Sequence, residues 1–98
     1  MKVFWTNTAI GNLESIHAYI AQDSPRYACR MIDRITARSQ QFAAFPKSGQ
    51  VVPEYQHPDI REVLVGSYRV IYLVESTSVK VLAVVHGAQL LSSEPPTE

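Results

Sequence analysis

The run Arg61-Glu62-Val63-Leu64-Val65-Gly66-Ser67-Tyr68-Arg69-Val70-Ile71-Tyr72-Leu73-Val74-Glu75 decides the fold. Two stretches rich in β-branched and aromatic residues flank a Gly-Ser break, the pattern of a β-hairpin whose two-residue turn begins with glycine. Strands are predicted over about residues 61–65 and 68–75, and a third over 79–86. A half-solvated antiparallel strand alternates apolar with polar residues, yet residues 68–74 are apolar at almost every position. Both faces of the sheet therefore need cover, and a partner or a second copy of the chain is expected on whichever face the rest of the chain leaves open.

Charge sets an expected register for the last hairpin. If Glu75 pairs with Lys80 across a four-residue loop, opposite charges meet. Arg69 then faces His86 with Glu62 nearby, and Val63, Val65, Val70, Tyr72, Val74, Val81, Ala83 and Val85 lie together on the other face, against the helices. A slip of one residue separates Arg69 from His86.

Upstream, Lys2-Val3-Phe4-Trp5 reads as a short strand and Thr6 as a helix N-cap. Ile10, Leu13, Ile16, His17 and Ile20 recur at three- and four-residue steps and form the stripe of an amphipathic helix over 7–22. Asp23-Ser24-Pro25 breaks it: Ser24 can cap and Pro25 suits the first position of a second helix, which runs to about residue 44 before Pro46. Its stripe is Ala28, Met31, Ile32, Ile35 and Phe42, so two antiparallel helices result. Arg26, Arg30, Arg34 and Arg38 stand four apart and trace one ridge, either a solvated face or a surface that meets acidic groups or phosphates. Val51-Val52-Pro53 reads as an edge segment and 54–60 as a loop. One α+β domain over 1–92 is expected, with a flexible tail over 93–98.

Composition narrows the function. Lys plus Arg and Asp plus Glu each number 9 in 98 residues, so the chain lacks the basic excess of a protein built to grip phosphates. A single cysteine, Cys29, allows no internal disulfide, and metal-ligand spacing is absent; neither metal nor organic cofactor is expected. No signal peptide and no apolar run long enough to span a membrane is apparent, so a cytoplasmic protein with no membrane partner is expected.

The order and spacing of several pieces resemble the RelE/ParE superfamily, the toxin halves of bacterial type II toxin–antitoxin modules. They are Lys2-Val3-Phe4-Trp5; Ala9, Leu13, Ile16 and Tyr19-Ile20; Pro25 with Ala28; Phe45-Pro46 with Gly49; Arg61; Tyr68-Arg69-Val70-Ile71-Tyr72; and residues 81–85 running into His86-Gly87-Ala88. The resemblance implies an N-terminal strand and helical hairpin packed on a twisted antiparallel sheet, and neutralisation by a small cognate antitoxin. It implies one of two targets: messenger RNA cut on the ribosome by RelE-like members, or DNA gyrase inhibited by ParE-like ones. The long hairpin ending in Tyr19-Ile20 looks ParE-like. Any link to operator DNA would run through the antitoxin.

Cleavage through a ribose 2′-hydroxyl needs a proton acceptor, a proton donor and cations on the phosphate. Arg61, Arg69 and His86 are the candidates, with Tyr68 or Tyr72 in support; His86 alternatively just ends a strand. Relatives that are nucleases supply more cations after the last strand, whereas Gly87, Ala88, Gln89, Leu90 and Leu91 follow here. Gln89 stands where many relatives carry arginine, a departure that also fits a degenerate module kept only as an antitoxin's partner. The expected reading is a gyrase binder whose target- or antitoxin-binding residues are Arg61, Arg69, Tyr72, His86, Gln89, Leu90 and Leu91, with a ribosome-dependent endoribonuclease as the alternative. His17 is expected between the helices, Trp5 in packing, and Tyr55 and His57 in the loop before Arg61.

Overall fold

A computed structural model describes residues 1–92 and 94–96. Strand β1 (Lys2–Trp5) leads into α1 (Asn7–Ala21) and α2 (Pro25–Gln40). A 3-10 turn over Gln41–Ala43 follows, then β2 (Gln50–Val51), β3 (Ile60–Val65), β4 (Tyr68–Val74) and β5 (Ser78–His86). The expected tail lies partly outside the described residues, at 93, 97 and 98.

Both predicted caps form. Thr6 Oγ1 accepts from the Ala9 N–H and Ser24 Oγ from the Tyr27 N–H, each satisfying a backbone donor at a helix start. Thr6 Oγ1 also donates toward the Val81 and Leu82 carbonyls, and Asn12 Oδ1 accepts from the Val84 N–H. These two side chains serve β5 backbone groups past the end of β1. Helix α2 gives way to the 3-10 turn at Gln41, earlier than the predicted end near residue 44.

The five strands lie in the order β1-β5-β4-β3-β2, with β2, β3, β4 and β5 antiparallel as expected. The pairing that departs from an all-antiparallel sheet is that of β1, which lies parallel to β5. Such a pair, joining the first strand to the last through most of the chain, leaves no local signature in the sequence.

The turn of the β3–β4 hairpin is as read: Gly66 has φ +58, and Ser67 is not in the positive-φ region. The register of β4 on β5 is not. Glu75 pairs with Ser78 through a 2.9 Å N–H···O bond, so the connection is the two residues Ser76 and Thr77 rather than four. Tyr72 then pairs with Val81, but Ile71 pairs with Ala83, leaving Leu82 as an extra residue in β5. This β-bulge shifts everything beyond it by one and turns it to the opposite face. Arg69 faces Val85, and His86 faces Tyr68. Ala83 and Val85, expected against the helices, lie on the outer face, and Val84 replaces them in the core.

The helix-covered core contains Ala9, Ile16, Met31, Ile35, Phe42, Val63, Val65, Val70, Tyr72, Val79, Val81 and Val84. Phe42 and Tyr72 stack with centroids 3.8 Å apart and planes 18° off parallel. Ile10, predicted on the α1 stripe, is exposed. His17 lies between the helices with Nε2 3.7 Å from Cys29 Sγ, Trp5 packs against the core, and the arginines at 26, 30 and 34 remain exposed on α2.

Candidate functional site

The outer face of the sheet is where the fold departs from a simple two-layer sandwich. A second cluster of Val52, Ile60, Ile71, Leu82 and Ala83 is buried there, with Tyr55, Leu73, Val85 and Leu91 packed on it. Its cover comes from the β2–β3 loop and the segment after β5, so the chain supplies part of the partner that the two-sided apolar pattern calls for.

Arg69 ties that cover down. Its guanidinium meets both Glu54 oxygens at 2.8 Å, donates from Nε to Glu62, and reaches the Gln89 carbonyl at 3.2 Å. Glu54 in turn accepts from the Leu91 N–H at 3.3 Å. The Arg69 side chain is only 8% exposed and that of Glu62 7%. The planar fork suits this bidentate contact, and a buried guanidinium needs such partners. The Arg69 hydrogen bond chiefly holds the Glu54 carboxyl down at about 2, and Glu54 foremost raises the Arg69 pKa.

Arg61 likewise works on backbone: Nε donates to the Pro58 carbonyl and Nη1 to the Gly49 carbonyl. Gly49 donates its N–H to Tyr72 Oη at 2.9 Å, and a Cβ there would sit 2.5 Å from the Glu62 carbonyl oxygen, so the approach requires glycine. Tyr72, expected at a binding surface, is fully buried and has nothing to present to a partner.

His86 is exposed on the helix side, its ring edge-on to Tyr68 at 5.9 Å, with Nδ1 accepting from the Ala88 N–H. The structure therefore brings Arg69 together with Glu54, Glu62 and the Gln89 backbone, and does not bring it together with His86. Glu54 has no signature in the strand pattern; its only signal in the sequence is a carboxylate just after Pro53, in the loop that crosses the apolar face. Around the latch a cavity of about 530 Å³ is lined by Gln50, Pro53, Glu54, Glu62, Leu64, Arg69, Gly87 and Leu90. Leu64 and Leu90 are 64% and 86% exposed. The arrangement offers a mostly apolar surface over a fully paired ionic floor, suited to protein contact. Among the described residues no group of three or more His, Cys, Asp or Glu could hold a metal ion, and no helix is long and apolar enough to cross a membrane.

The family model described as the ParE toxin of a type II toxin–antitoxin system, parDE, matches residues 3–91. The chain belongs to the ParE toxin family. Toxin RelE2 of Caulobacter vibrioides is 32% identical over 90 residues, covering 91% of this chain and 98% of that protein. Among solved structures, a chain of the chromosomal ParDE toxin–antitoxin system from P. aeruginosa superposes with a TM-score of 0.73 at 18% identity, covering 88% of this chain and 95% of that one. The RelBE2 toxin–antitoxin complex from Mycobacterium tuberculosis gives a TM-score of 0.50 at 22% identity, covering 87% and 95%. At those identities the two structures bear on fold alone, and they share this arrangement of two helices and a five-stranded mixed sheet. This chain is thus a type II toxin–antitoxin toxin of the ParE/RelE superfamily.

Proposed function

We propose that this ParE-family toxin acts in the cytoplasm by binding DNA gyrase and blocking its cycle, and that a cognate antitoxin neutralises it by covering the same surface. The observation that carries this reading is the state of the cations. Arg69 is enclosed by two carboxylates, Arg61 holds loop carbonyls, and His86 stands on the opposite face from Arg69. Phosphodiester cleavage needs cations and an acid–base pair converging on one phosphate, and these three residues do not converge. The exposed Leu64 and Leu90 beside the latch favour binding instead, since apolar anchors at the centre of an interface carry most of its energy. The likeness of the fold to toxins solved in toxin–antitoxin assemblies supports an antitoxin partner, and operator DNA would be reached only through it.

The test is a purified gyrase supercoiling reaction run beside a translation reaction in which messenger RNA is followed. Inhibited supercoiling with intact message is expected, and Leu64→Glu or Leu90→Glu should weaken inhibition by about tenfold or more, the equivalent of about 1.4 kcal/mol. Cleaved message with normal supercoiling would overturn the reading in favour of a ribosome-dependent endoribonuclease, the alternative that the name of the Caulobacter relative favours.

A further inference from the structure

At the helix-side end of the sheet, away from the latch, stands a group of side chains that gyrase binding through the outer face does not use. Tyr19 from the last turns of α1 and Tyr27 from the first turn of α2 are 71% and 49% exposed. Between them and the sheet lies Tyr68, the first residue of β4, beside His86. A cavity of about 320 Å³ is lined by Tyr19, Asp23, Tyr27, Met31, Tyr68 and His86, among others. A neighbouring cavity of about 410 Å³ shares Tyr19, Tyr68 and His86 and continues between α1 and β5 past Asn12, Ser15 and Gln89.

The composition of this cleft is selective. It holds three tyrosines and one carboxylate, and among the described residues neither cavity has a lysine or arginine in its lining, although α2 alone carries four arginines. Burial, followed by the nearness of Tyr19 and Tyr27, raises the Tyr68 hydroxyl above its ordinary value, so that group remains un-ionised at neutral pH. An anion would meet Asp23 with no lysine or arginine in the lining to hold it, only the His86 imidazole. A purely apolar group would desolvate Asp23 and leave it unpaired. A cation gains from both the ring faces and the carboxylate.

We infer that this cleft receives one arginine side chain carried by a partner protein. The guanidinium is the cation that stacks on aromatic rings and gives up its hydration most readily. The second cavity gives the flanking peptide somewhere to lie: the Asn12 carboxamide, whose oxygen is engaged by the Val84 N–H, lines it together with Ser15 and Gln89. Charge complementarity thus selects a basic anchor for this face, whereas the latch face selects apolar ones.

The experiment is an NMR titration of the folded full chain with N-acetyl-arginine methylamide, its uncharged isostere N-acetyl-citrulline methylamide, and a short alanine peptide with one central arginine. Saturable shifts of the Tyr19, Tyr27 and Tyr68 rings are expected with the arginine probe. Citrulline should bind about 2–5-fold more weakly, the size of an exposed cation–π contact. Asp23→Asn and Tyr19→Ala, both at exposed positions, should weaken arginine binding by a similar factor, while Leu64→Glu on the outer face leaves it unchanged. The peptide should bind at least as tightly as the single residue. Absence of saturable shifts, equal binding of citrulline, or indifference to both substitutions overturns the cleft as an arginine receptor. Weaker binding of the peptide than of the amide overturns the protein partner in favour of a free cation. Failure here leaves gyrase inhibition as a separate result, since that is read by supercoiling and by Leu64 and Leu90.

Discussion

The two faces of this sheet are made from the same strands and are covered by different means. On one, α1 and α2 lay a continuous apolar surface over Val63, Val70, Tyr72, Val81 and Val84, with the Phe42–Tyr72 stack at its centre. On the other, a smaller cluster around Ile71 and Leu82 is covered by a loop and by the segment after β5, and a buried arginine with two glutamates fixes both. Helices bring their own hydrogen bonds and need only an apolar stripe to dock. A loop and a chain end need specific polar ties, because their backbone groups have no regular partners. A toxin that must be gripped and released can use the second kind of cover, which is open at Leu64 and Leu90 and held at few points.

Removing the tie should produce the largest effect. Arg69→Ala leaves Glu62 buried without its partner and Glu54 without its bidentate contact, and should cost about 3–5 kcal/mol in denaturant unfolding. A cost under about 1 kcal/mol would mean that the latch is incidental and that the apolar cluster holds the outer face by itself.

On the helix side the corresponding polar tie is Tyr72 Oη with the Gly49 N–H. Tyr72→Phe keeps the ring stack and strands that buried donor, so a loss of about 1–3 kcal/mol is expected. Measuring it beside Arg69→Ala asks whether both faces depend on a single polar contact to position β2 and its loop.

Acid should loosen the two faces unequally. The folded-state pKa of Glu54, about 2, lies below its ordinary 4.5. Its contribution is therefore present above pH 4.5 and is lost as pH falls from there toward 2. Glu54→Gln should flatten the stability profile across that window, and hydrogen exchange at low pH should show the β2–β3 loop and residues 88–91 opening before the helices do. Simultaneous opening of both faces would dissolve the contrast.

The smallest effect belongs to Leu91, which is partly buried at the edge of the outer cluster. Leu91→Ala should cost about 1 kcal/mol, below the range for fully buried leucines. Because the Leu91 N–H remains to bond Glu54, the latch geometry should survive, which a retained acid profile would check.

How much of this was legible in the residues differs from element to element. Thr6, Ser24 and Pro25 marked both helix starts because capping is a local event between a side chain and the next turn's N–H groups. Gly66-Ser67 marked its hairpin for a similar reason, and the apolar character of residues 68–74 announced that both sheet faces would be buried. The arginine latch was half legible: Arg69 and Glu62 were placed on one face, but Glu54 joins them from a loop whose path is set by what it covers.

What the sequence by itself determined is the order and kind of the elements, the two-sided burial of the sheet and the likeness to a toxin superfamily. Only the tertiary structure decided that β1 lies parallel to β5 and that Leu82 is an extra residue, and so that Arg69 and His86 face opposite ways. The reason is that side-chain alternation counts residues along one strand, whereas a bulge is a relation between two. In β5 the residues 81–85 are all apolar, so either parity satisfies the pattern. The choice falls instead to distant groups, such as Thr6 and Asn12, which meet the carbonyls of Val81 and Leu82 and the N–H of Val84 where the strand bends.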